Sequence, residues 1–74
     1  MTCKQKKFVE YIFYRALISH RIRPKFSFIH SSYKEDGVEF FQTFVIKNDK
    51  TVAVFDRLYI ESDGHVLNYE LMFA

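Results

Sequence analysis

A chain of 74 residues that is 49% hydrophobic and 19% aromatic, with two Gly and one Pro, holds a single domain and is neither a linker nor a low-complexity segment. Its single cysteine, Cys3, excludes an internal disulfide and a cysteine-built zinc centre, and a free thiol suits a reducing compartment. The formal net charge of +2 hides an asymmetry, because residues 1–25 carry seven cations and one anion while residues 26–74 carry four cations and eight anions.

Met1 to Lys7 is basic, but Glu10 and Arg15 interrupt the apolar residues behind it, so no signal-peptide core follows. No run approaches the roughly 18 apolar residues of a membrane span. A cytoplasmic protein without a membrane partner is expected. Phe, Tyr, Met, Ile, Asn and Lys total 31 residues against 10 for Gly, Ala, Arg and Pro. That usage fits an AT-rich gene, such as one from a low-GC bacterium or its phage.

Thr2 followed by Gln5 has capping-box spacing and predicts a helix over about 3–20. Phe8, Val9, Ile12, Phe13, Ala16 and Leu17 form its apolar stripe, while Tyr11, Tyr14 and Ile18 lie on the other side. Pro24 turns the chain into an extended segment. Strands are expected at about 25–33, 38–47, 51–61 and 65–73, separated by Glu35-Asp36-Gly37, Asn48-Asp49-Lys50 and Asp63-Gly64. The fold expected is α+β: one N-terminal helix packed on a four-stranded antiparallel meander, with residues 1–74 as one domain.

Register follows from turn length. A three-residue Asn48–Lys50 loop and a two-residue Asp63-Gly64 turn put Val38, Phe40, Phe44, Ile46, Val52, Val54, Leu58, Ile60, Leu67, Tyr69, Leu71 and Phe73 on one face, the one expected beneath the helix. The other face then holds Phe41, Thr43, Val45, Ala53, Phe55, Tyr59, Val66 and Met72, with Arg57 opposite Glu70. One helix cannot cover both faces, and a patch this large exceeds what monomers usually expose. A partner interface is therefore expected at Phe41, Val45, Phe55, Arg57, Tyr59 and Met72, extended by Tyr11 and Tyr14 of the helix. On that placement Phe55→Lys splits a dimer and Val54→Lys unfolds the chain.

Few residues suggest chemistry. With a three-residue turn at Glu35–Gly37, His30, Gln42 and Asp56 line up in one row on the helix side; a two-residue Asp36-Gly37 turn sends His30 to the other face. A carboxylate beside an imidazole is general-base chemistry in principle, whereas a satisfied buried network is the ordinary outcome. His20, His30 and His65 lack metal-ligand spacing, and no phosphate loop or nucleophile elbow is present. No catalytic, cofactor or metal set emerges, and no motif ties the chain to a known family. Lys4, Lys6, Lys7, Arg21, Arg23 and Lys25 form a basic half suited to nucleic-acid phosphates or an acidic partner. The sequence thus points to a small non-enzymatic protein-binding module, a homodimeric regulator or inhibitor, with nucleic-acid binding through the helix and the His20–Lys25 loop as the alternative.

Overall fold

The computed structural model describes residues 1–74. Helix α1 (Cys3–Ser19) precedes β1 (Ser27–Glu35), β2 (Val38–Lys47), β3 (Lys50–Ile60) and β4 (Val66–Phe73), which form one antiparallel sheet in the order β1-β2-β3-β4. This is the expected α+β meander. No helix is long and apolar enough to cross a membrane.

Local sequence sets the ends of α1. The Thr2 hydroxyl accepts a hydrogen bond from the Gln5 N–H at 3.1 Å, and Gln5 Oε1 accepts one from the Thr2 N–H at 2.8 Å. At the other end the Ile22 N–H reaches back to the Leu17 carbonyl at 3.0 Å, with Arg21 in the left-handed region at φ 63°. Val9, Phe13 and Leu17 recur every four residues and are fully buried. Phe13 lies flat on Phe55, ring centroids 3.7 Å apart, and Tyr69 meets both rings edge-on.

The side of the sheet beneath the helix is the reverse of the expectation for β2 and for Ala53–Phe55 of β3, whereas Val52, Leu58 and Ile60 lie in or against the core as expected. Thr43, Val45, Ala53 and Phe55 are fully buried, and Phe41 packs against the same core. Phe41, Val45 and Phe55 are therefore core residues and not a free interface. Phe44, Ile46 and Val54 face away from the helix, as the pairs Phe44↔Val54 and Val45↔Ala53 require. Small side chains explain the choice. Ala53 and Thr43 leave room for Phe13, whereas Phe44 and Ile46 opposite would hold the helix off the sheet.

All three turns differ from expectation. Asn48-Asp49 is a two-residue turn, with φ 53° and 61°, so Lys47 pairs with Lys50 and not with Thr51, and an irregularity next to Val45 restores the expected Val45↔Ala53 pair. Asp36-Gly37 is the two-residue turn, with φ 52° and 78°, so Glu35 pairs with Val38 and His30 with Thr43. Asp63-Gly64 instead sits inside a longer connection from Glu61 to His65, which pairs Asp56 with Glu70 and puts Leu71 opposite Phe55. Arg57 thus stands beside, not opposite, Glu70. The five-residue connection exists because it docks on the helix. Gln5 Nε2 donates to the Ser62 carbonyl at 2.9 Å, and buried Gly64 lies against the first turn at φ 93°. A Cβ at 64 would come within 3.0 Å of Gln5 Cα and 3.1 Å of Phe8 Cβ.

Gly64→Ala should therefore cost about 2–3 kcal/mol in chemical denaturation, combining left-handed strain with the clash. Phe55→Lys should abolish cooperative unfolding altogether, because it inserts an unpaired cation into the core of a marginally stable chain. A cooperative transition near that of the wild type for Phe55→Lys would contradict the placement of the helix.

Candidate functional site

The uncovered side of the sheet is the most distinctive surface. Ile29, Phe44, Val54 and Met72 stand side by side across all four strands, through the pairs Ile29↔Phe44, Phe44↔Val54 and Val54↔Met72. Ile29 and Met72, on the two edge strands, are 55% and 47% exposed. Phe40 and Ile46 extend the apolar strip along β2, and exposed Tyr59 adds to it from β3.

Next to this row lies a polar cluster centred on Asp56. Its Oδ1 accepts hydrogen bonds from Tyr33 Oη at 3.0 Å, Gln42 Nε2 at 3.3 Å and the Arg57 N–H at 2.7 Å. Arg57 is the extra residue of a β-bulge between the pairs Phe41↔Leu58 and Thr43↔Phe55, and its φ is 52°. The bulge turns its guanidinium over the Phe40 ring, 4.5 Å from the centroid, and toward Glu35 Oε2 at 3.3 Å. Phe40 in turn stacks on Tyr33. Desolvation, then the hydrogen bond and charge of Asp56, hold the Tyr33 phenol above its ordinary range. The Glu35 carboxylate raises the Arg57 guanidinium further above its already high value. Asp56 therefore serves three donors and holds the bulge in place.

The row expected for His30, Gln42 and Asp56 is split. Gln42 and Asp56 do meet on the open face, with Tyr33 in the third place. His30 lies beneath the helix, where Nδ1 meets Thr43 Oγ1 at 2.9 Å and Nε2 meets Glu10 Oε2 at 2.6 Å. Hydroxyl, imidazole and carboxylate are in the order of a nucleophilic triad. Thr43 is fully buried, however, so its hydroxyl cannot meet a substrate. Glu10–His30–Thr43 instead ties α1 to β1 and β2 and satisfies the buried hydroxyl. A cleft of about 140 Å³ lined by Met1, Lys6, His30, Ser31, Ser32 and Phe41 opens beside it. No three His, Cys, Asp or Glu side chains converge on one point.

The remaining expected site residues fall on separate surfaces. Arg57, Tyr59 and Met72 belong to the open face, whereas Tyr11 and Tyr14 are exposed on the far side of the molecule, on the helix. Lys4, Lys6 and Lys7 occupy the first turns of α1, and Arg21, Arg23 and Lys25 follow its last turn. On this 17-residue helix about 21 Å of axis separates Lys7 from Arg21, the nearest members of the two groups. Ile29, Tyr33, Phe40, Phe44 and Val54 were not among the expected site residues. The signal that finds Tyr33 is Asp36-Gly37, whose preference for a two-residue turn fixes the β1 register.

No family model, curated protein or solved structure matches this chain.

The Tyr33–Asp56 contact is testable by alkaline titration. A phenol whose value is raised on folding stabilises the fold below about pH 10, and that contribution is lost as pH rises through the raised value. Asp56→Asn should lower the Tyr33 midpoint, read as the ultraviolet difference between each protein and its Tyr33→Phe counterpart. An unmoved midpoint would show that the two groups do not interact.

Proposed function

We propose that this protein is a small non-enzymatic protein-binding module that pairs with a second copy of itself through the open face of the sheet, and as a dimer regulates or inhibits a target protein. The observation that carries this is the apolar row Ile29–Phe44–Val54–Met72, which crosses every strand with no layer over it. The accessible surface of 5340 Å² also exceeds the roughly 4,800 Å² usual for a folded monomer of this mass.

Size and shape support a second copy as the occupant. Four strands about 4.8 Å apart and about eight residues long present roughly 500 Å² per copy, so a pair buries about 1,000 Å², the lower bound of a specific interface. A two-fold arrangement lets each row cover its counterpart and leaves the Glu35–Arg57 pair at the rim. The product is a four-layer molecule with both helices outward, free to meet a target. The open face carries Glu35, Asp56 and Glu70 against one cation, Arg57, a balance unsuited to nucleic acid.

Sedimentation equilibrium at micromolar concentration should give a dimer. Val54→Lys should give a folded monomer whose melting temperature no longer depends on concentration, with an intrinsic loss of about 1 kcal/mol or less. A wild-type protein that stays monomeric throughout the micromolar range refutes the dimer.

A further inference from the structure

Three of the four arginines gather at one end of the helix, on the side of the molecule away from the open face. A shallow hollow of about 290 Å³ is lined by Tyr14, Arg15, Ile18 and Ser19. A second, of about 300 Å³, is lined by Ile18, Arg21, Ile22, Arg23 and Pro24. Ile18 belongs to both and is 42% exposed, so the two hollows adjoin at its side chain and together make a groove interrupted by it over the helix end. The left-handed Arg21 that closes α1 and the extended Pro24 segment shape its far wall. Lys47 Nζ, donating to the Arg23 carbonyl at 3.1 Å, ties that wall to the sheet.

The charges around the groove are all of one sign. Arg15, Arg21 and Arg23 make no salt bridge, since Arg57 and His30 account for the ion pairs of the molecule. No carboxylate lines either hollow, and the one acidic residue of the helix, Glu10, is turned inward to His30. Unpaired guanidiniums offer planar, forked donors that match carboxylates. Between them the floor is aliphatic, from Ile18, Ile22 and Pro24. Such a floor takes an apolar side chain. Two rings border it: Tyr14 packs against Phe26 at 5.5 Å, and the exposed Tyr11 ring carries the Arg15 guanidinium 6.0 Å from its centroid. Along the helix axis Lys7 stands about 12 Å and Lys4 about 16 Å from Arg15, at the end opposite Arg21 and Arg23.

We infer that this groove binds an acidic peptide segment of a partner protein, seating one apolar side chain on Ile18 while neighbouring carboxylates meet Arg15, Arg21 and Arg23. The site is independent of dimer formation, since it lies on the opposite side of the molecule, and in a dimer each copy presents one.

The test uses the full chain and a fluorescein-labelled peptide of Glu and Asp around a single central Leu, followed by anisotropy at low and physiological salt. Saturable binding is expected. Changing the central Leu to Ser should weaken it about tenfold, and Arg21→Gln and Arg23→Gln should each weaken it by about tenfold as well. Ile18→Ser, an exposed substitution, should mimic the loss of the central Leu. Lys4→Gln with Lys7→Gln, at the other end of the helix, should leave the affinity unchanged. Absence of saturable binding overturns the assignment. So does equal weakening by the Lys4 and Lys7 changes, which would mark diffuse attraction, or tighter binding of a single-stranded oligonucleotide of the same charge. Repeating the titration on Val54→Lys separates the two proposals: retained binding by a monomer leaves the groove standing whatever becomes of the dimer.

Discussion

One helix can cover one side of a four-stranded sheet, and both sides of this sheet are apolar. Everything else in the molecule follows from which side is covered. The helix sits where the sheet is lowest, over Thr43, Val45 and Ala53, so that Phe13 can reach Phe55 and stack on it. The stacked rings fill the space between helix and sheet there, because an interior of this kind tolerates few gaps. The larger side chains Phe40, Phe44 and Ile46 are left on the other side, which no element of the chain covers. Seven hydrophobic residues form the whole buried core, a small number for a domain that must fold. A chain of this length gains much of its stability from association when it has a face to associate through.

Polar groups are arranged to hold this division in place. Glu10, His30 and Thr43 bind the helix to β1 and β2, so the fully buried Thr43 hydroxyl is not left without a partner. Asp56 does the corresponding work on the open side. It accepts from the N–H of the bulged Arg57 and draws Tyr33 and Gln42 onto the same oxygen. Arg57 is held in a conformation that bulky residues rarely adopt, and a bulge in a central strand persists where its neighbours fix it. Its side chain then bridges Phe40 and Glu35, a charged corner beside an apolar strip.

The distribution of charge separates the molecule into two unlike surfaces. The helix side carries unpaired cations, gathered at the end of α1 around Ile18, and the open face is mildly acidic around an apolar centre. Two surfaces of different chemistry on opposite sides would let the proposed self-association and the proposed peptide binding proceed without competing.

The elements themselves were legible in the residues. Thr2 and Gln5 announce the helix start, Pro24 the end of the helical segment, and the β-branched and aromatic runs the strands. These are local preferences, and local contacts realise them. The side of the sheet that the helix covers was not legible, because alternation offers two apolar faces and large residues mark the wrong one. That choice is made by volume between α1 and the sheet, through Ala53 and Phe13, which are 40 residues apart in the chain. The row expected for His30, Gln42 and Asp56 failed for a related reason. One residue of turn length at Asp36-Gly37 decides the face of His30, and the docking of Gly64 on Gln5 and Phe8 decides the length of the last connection. The arginine groove was half visible: composition places Arg21 and Arg23 together, while only the return of the chain beside Ile18 gives them a common apolar floor.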